Sequence, residues 1–158
     1  MVQSKKFWLK ESHKLKWFKK PSITILRKKN NKNSWFPDGL FNVYDNCITK
    51  NLNENLENKI AIICIDENKQ ISKFTYQDID KKVNDFCFFL KSLDRDINTS
   101  LIHSSANITS AISMLAFSKL GIHFSVIFED LPIDAINLRI GLLKPDLIVT
   151  TSKNHNSA

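Results

Sequence analysis

From residue 59 onward the apolar positions fall into alternating strand-length and helix-length periods. KIAIICID is an isoleucine-rich apolar run of strand length, the polar DENKQ after it reads as a turn, and ISKFT returns as the second arm of a hairpin. Thr75 then stands where a cap is wanted. Behind it Ile79, Val83, Phe86 and Leu90 recur at three and four residues, and Asp78 lies in the first turn, where the helix dipole favours an acid. The pattern continues with a strand at Ser100 to His103, a helix at Ile108 to Leu120, a strand at Ile122 to Phe128, a helix at Pro132 to Leu143 and a strand at Asp146 to Thr150. Strands alternating with helices of this length need crossover connections, which predicts a parallel sheet covered on both faces. The fold class is therefore α/β: an N-terminal helical and irregular arm, followed by a partial doubly wound parallel sheet.

The arm is less regular. Trp8, Leu15 and Phe18 lie near helical spacing among lysines, which predicts an amphipathic helix over residues 5–20 ended by Pro21. SITIL at 22–26 reads as a short strand and RKKNNKN as a flexible loop. SWFPDGLFN resumes order, because Pro37, Asp38 and Gly39 supply turn chemistry and Trp35 and Phe36 supply rings to bury. A further helix is predicted through Val43, Tyr44, Cys47 and Ile48.

The formal charge of +7 changes this picture only at one end: residues 1–32 hold eleven Lys/Arg against the single acid Glu11, leaving twelve bases and fifteen acids beyond. A basic arm can bind nucleic acid through counterion release, although a solvated lysine face in an Asn/Lys/Ile-rich chain accounts for the same charge. No apolar run reaches the roughly 18 residues of a membrane span, and the opening is too charged for a secretory signal; a soluble, cytoplasmic chain with no membrane partner is expected. Cys47, Cys64 and Cys87 are far apart and read as buried free thiols.

Candidate chemistry is sparse. With only Gly39, Gly121 and Gly141 neither glycine-rich phosphate loop can be built. His13, His103, His123 and His155 have no partners at metal-ligand spacing, and Ser104 and Ser105 follow a strand but lack the nucleophile-elbow glycines. No catalytic residue and no metal ligand is assigned. Asn107-Ile108-Thr109 and Asn98-Thr99-Ser100 match the glycosylation pattern, which has no use in a cytoplasmic chain.

SWFPDGLFNVYDNC resembles the N-terminal region of AMP-forming acetyl-CoA and propionyl-CoA synthetases, members of the adenylate-forming acyl-CoA ligases. The opening FW and LKWFKKP are similar to that family's first helix and its W-F-x-x-P step. FTYQDIDKKVNDFCFFLKSL, MLAFSKLGIHFSVIF and DAINLRIGLLKPDLIVTTS resemble its next three conserved elements in order, so the likeness runs nearly to residue 152. The resemblance implies a division into 1–57, the synthetase-type N-terminal segment; 58–152, the beginning of the large AMP-binding domain; and 153–158, a tail. It implies a parent that uses ATP, Mg and CoA to turn acetate or propionate into acyl-CoA, AMP and pyrophosphate. The family's phosphate loop, acyl pocket and C-terminal lysine domain lie further along, so the chain by itself is expected to be an inactive truncated fragment needing no cofactor.

Where the family has a glycine pair lining its CoA tunnel, this chain has Glu129 and Asp130 after Phe128; two carboxylates there would narrow the path and repel an anionic ligand. With the apolar framework intact, such departures point to relaxed selection or another role. The expected partner is the remaining portion of the synthetase, or a second copy through an exposed sheet edge. A reading of a different class is a non-catalytic interaction module whose basic arm binds nucleic acid or a protein.

Overall fold

Thr75 and Asp78 start the longest helix. The Asp78 N–H donates to the Thr75 hydroxyl oxygen at 3.1 Å and the Thr75 N–H donates to the Asp78 carboxylate at 2.9 Å, a reciprocal capping box that satisfies two donors the helix cannot. A computed structural model describes residues 2–27 and 33–151. In chain order it holds α1 (Val2–Ser12), β1 (Ile25–Arg27), β2 (Asn33–Trp35), a π-helical segment at Asp45–Thr49 running into α2 (Lys50–Asn53), β3 (Ile60–Ile65), β4 (Ile71–Thr75), α3 (Tyr76–Ser92), β5 (Thr99–His103), α4 (Ile108–Leu120), β6 (His123–Ile127), α5 (Ile133–Leu143) and β7 (Leu147–Thr150).

Beyond residue 59 the predicted elements stand within a residue or so of their expected bounds. β3 and β4 form the antiparallel hairpin, whose turn is tied by the Gln70 N–H donating to the Asp66 carboxylate at 2.8 Å. β5, β6 and β7 form a parallel sheet in the order β6-β5-β7, with Leu101 aligned to Ser125 and Ile148. Alternation puts Ser100 and Ile102 on one face. There Ile102 packs with Leu90 and Phe117, so α3 and α4 cover that side. A second cluster joins Tyr44 and Ile48 to Ile79, Val83 and Cys87 of α3 and to Ile112 and Ala116 of α4.

Two expectations about packing need correction. The sheet is not covered equally on both faces: α5 has no buried residue, and Ile133, Leu138 and Leu142 are exposed on it. The thiols are free but differ, Cys47 being exposed, Cys64 half-buried and only Cys87 buried.

The arm departs further from the pattern. α1 ends at Ser12 rather than near residue 20, because the Trp17 indole N–H reaches back to the Ser12 carbonyl at 2.7 Å and the Ser12 hydroxyl donates to the Leu9 carbonyl, closing the C-terminal turn. The chain that follows is extended, with Lys19 bridging Leu40. Trp17 then packs against Phe36 and Phe41, and Trp8 against Trp35. Gly39 is needed here for a close approach: a Cβ would stand 2.6 Å from the Trp17 ring. The strand at 22–26 is observed as β1, displaced to Ile25–Arg27 and paired with β2, which the pattern did not predict. Most of the predicted RKKNNKN loop, at 28–32, and the tail at 153–158 lie outside the described residues.

The arm is fastened to the sheet domain by polar contacts. Asn42 donates to the Ser118 carbonyl of α4 at 2.8 Å, while within the arm Asn46 exchanges hydrogen bonds with the Lys16 backbone. Tyr44, 3% exposed, donates its hydroxyl to Asp80; the Lys119 ammonium donates to the Tyr44 oxygen at 3.1 Å and sits 4.1 Å from its ring centre. Burial and the Asp80 carboxylate push the Tyr44 phenol well above its usual range, so it stays a neutral donor.

Candidate functional site

In a sheet that runs β6-β5-β7 the chain leaves β5 in one direction and returns to its other side, so the order reverses between β5 and β7. Ligands of such sheets sit in the crevice outside the carboxyl ends of the strands at that point. The residues delivered there are Ser104 and Ser105 after β5, Glu129 after β6, Thr151 after β7 and Asn107 at the start of α4.

They form one hydrogen-bonded network. The Ser104 and Thr151 hydroxyls lie 3.0 Å apart, and Thr151 donates to the Glu129 carboxylate at 3.2 Å. Asn107 donates to the Ser104 and Ser105 oxygens at 3.0 and 3.1 Å, while its carbonyl oxygen accepts from the Ser110 N–H at 3.0 Å and caps α4. Ser110 in turn donates to the Ser105 carbonyl at 2.7 Å. Ser104 is 2% exposed and its oxygen is engaged on several sides, with no imidazole bonded to it among the described residues. The neighbouring His103 buries an Nε2 that has no partner. The base in contact with a hydroxyl of this network is the Glu129 carboxylate on Thr151, and that hydroxyl is also held by Ser104, so the arrangement ties the three strand ends together.

Of the residues singled out beforehand, Glu129 is half-buried and joins the network, whereas Phe128 and Asp130 are exposed beside it. Ser104 and Ser105 come to the crevice as strand-end positions must. Thr151 and the capping Asn107 were not foreseen, because the contact of Thr151 with Ser104 spans 47 residues and exists only once β7 is placed beside β5. The only signal for Asn107 was its position ahead of an apolar helical run. Among the described residues no group of three His, Cys, Asp or Glu side chains is close enough to hold a metal ion, and no helix is long and apolar enough to cross a membrane.

Residues 2–47 match the family model for the acetyl-coenzyme A synthetase N-terminus. The chain is 35% identical over 149 residues to the acetyl-coenzyme A synthetase of Leptospira biflexa, a match covering 92% of this chain and 23% of that protein. It is 28% identical over 155 residues to the mitochondrial acyl-CoA synthetase short-chain family member 3 of Pongo abelii, covering 96% of this chain and 22% of that one. The chain therefore spans under a quarter of the length of these relatives. Among solved structures, the crystal structure of CmiS6 shares the fold with a TM-score of 0.61 at 18% identity, over 73% of this chain and 28% of that chain.

Proposed function

The chain belongs by its sequence to the N-terminal region of the acetyl-coenzyme A synthetase family, and from that premise we propose that it supplies the opening scaffold of an AMP-forming short-chain acyl-CoA synthetase while holding none of the reacting groups itself. The observation that carries this reading is the match over 92% of the chain to a synthetase about four times its length. ATP, Mg and CoA would then be bound by the parent enzyme, with acetate or propionate as the acid activated. The remaining portion of the synthetase is the partner. The crevice is compatible with this assignment: its hydroxyls, Asn107 and the Glu129 carboxylate bond to one another and tie the strand ends together.

Within such a parent the Glu129 carboxylate has a specific consequence. It stands at the carboxyl end of β6, bonded to Thr151, where an incoming anionic ligand would meet its charge. The test is a chimera in which residues 1–152 replace the corresponding part of the Leptospira biflexa synthetase. Acetate-dependent exchange of pyrophosphate into ATP should persist, and acetyl-CoA formation should fall by at least about tenfold, an order set by one unfavourable charge near a ligand. Changing Glu129→Gly together with Asp130→Gly should restore the second step. A folded chimera with no exchange activity would sink the scaffold reading; full acetyl-CoA formation without the glycines would sink the role given to Glu129.

A further inference from the structure

The parallel sheet ends at β6, and its outer side is unpaired among the described residues. The His123 N–H donates to the Asn98 carbonyl at 2.9 Å, and the Ile127 carbonyl accepts from the Ser104 N–H, so both turn their backbone groups toward β5. Alternation along a strand then turns the N–H and C=O of Phe124 and Val126 outward. The same two residues have half-exposed side chains, at 36% and 38%.

That edge opens onto a groove of about 570 Å³ between the arm and the sheet domain, lined by Phe18, Leu40, Phe41, Val43, Ile122 and Phe124. Phe18 and Leu40 are 63% and 60% exposed, an unusual concentration of apolar surface beside an open edge. Among the described residues the groove has no acidic lining side chain. Next to Phe18 stand Lys16, Lys19 and Lys20, all exposed, while the ion pair seen on the arm is Lys14 with Glu11. The groove is fixed rather than incidental, since the Asn42 to Ser118 hydrogen bond holds its two walls together.

We propose that this groove is a docking site for an extended segment of a partner polypeptide, which adds a strand to β6, is apolar at alternate positions and is acidic at its ends. Backbone pairing would use the outward groups of Phe124 and Val126, alternate apolar side chains would cover Phe18, Leu40 and Phe41, and carboxylates would meet the three lysines. The inference is independent of the synthetase reading, which rests on the chain's relatives and not on this groove.

The test uses the whole chain, isotopically labelled and dilute, with the peptide acetyl-Glu-Glu-Val-Thr-Val-Thr-Val-Glu-Glu-amide as probe. Its lysine-ended counterpart and a thymidine oligonucleotide serve as comparisons. The acidic peptide should slow hydrogen exchange at the Phe124 and Val126 amides by about tenfold or more, leaving His123 and Ser125, already bonded to β5, little changed. Phe18→Ser should weaken binding about tenfold and Lys19→Glu about fivefold, the latter loss shrinking as salt rises. Both residues are exposed, and an unchanged thermal melt establishes that each variant is folded. The proposal is overturned by no binding, by equal binding of the lysine-ended peptide or protection by the oligonucleotide, by protection along β7 instead, or by protection that grows with protein concentration in the absence of peptide.

Discussion

Asp38 shows how much a single turn residue does in the arm. Its carboxylate accepts from the Ser22 N–H at 2.8 Å, the Ser22 hydroxyl at 2.6 Å and the Ile23 N–H at 3.1 Å, and these bonds, Ser22's hydroxyl foremost, pull its pKa down to about 2. A carboxyl held below its unfolded value of about 3.9 contributes stability above that pH and loses it as the pH falls toward the folded value. The Ser22 and Ile23 amides should therefore lose exchange protection between about pH 4 and pH 2, measured by NMR, and Asp38→Asn should remove that pH dependence while leaving the sheet domain unaffected. The PDG turn was legible from residue types alone. That its aspartate reaches back 16 residues to Ser22 was not, since the reach depends on where β1 lies.

Elements were read well where a period and a cap agreed. α3 had both, and three of its four buried positions, Ile79, Val83 and Leu90, follow from spacing; the fourth is Cys87, which lies on the same i, i+4 stripe beside the Ala116 carbonyl, while Phe86 packs half-buried against the edge of the core. Breaking the capping box by Thr75→Ala should cost about 1 kcal/mol and lower the melting temperature by about 2–4 °C, followed by circular dichroism. The low pKa of Asp78, held down by its bonds to Thr75, should rise in the same variant. The arm's helix was overextended for the opposite reason. Lysine and aromatic spacing continued past residue 12, but the Trp17 indole bonded to Ser12 ended the helix there, a contact that no local period encodes.

For the whole molecule the main consequence is an unfinished surface. Leu101 and Ile127 are buried on the sheet face opposite α3 and α4, yet α5 exposes Ile133, Leu138 and Leu142, the last at 78%. Soluble domains seldom leave such helices uncovered. The chain alone should self-associate with rising concentration, seen in sedimentation velocity, and Leu138→Lys with Leu142→Lys should shift it toward monomer while changing its unfolding free energy by under about 1 kcal/mol, because neither side chain is buried. A concentration-independent monomer before the substitutions would count against this expectation.

The sequence by itself determined the α/β class, the hairpin, the β-α-β-α-β series and the relationship to acyl-CoA synthetases, because these depend on local periodicity, turn chemistry and ordered motifs within short stretches of chain. It also located Glu129 at a strand end. The tertiary structure alone decided the strand order β6-β5-β7, the meeting of Ser104, Thr151 and Glu129 at its reversal, the end of α1 and the groove beside β6. Each of these is a contact between residues distant in sequence, set by which faces must be buried together and which hydrogen-bonding groups are then left to find partners.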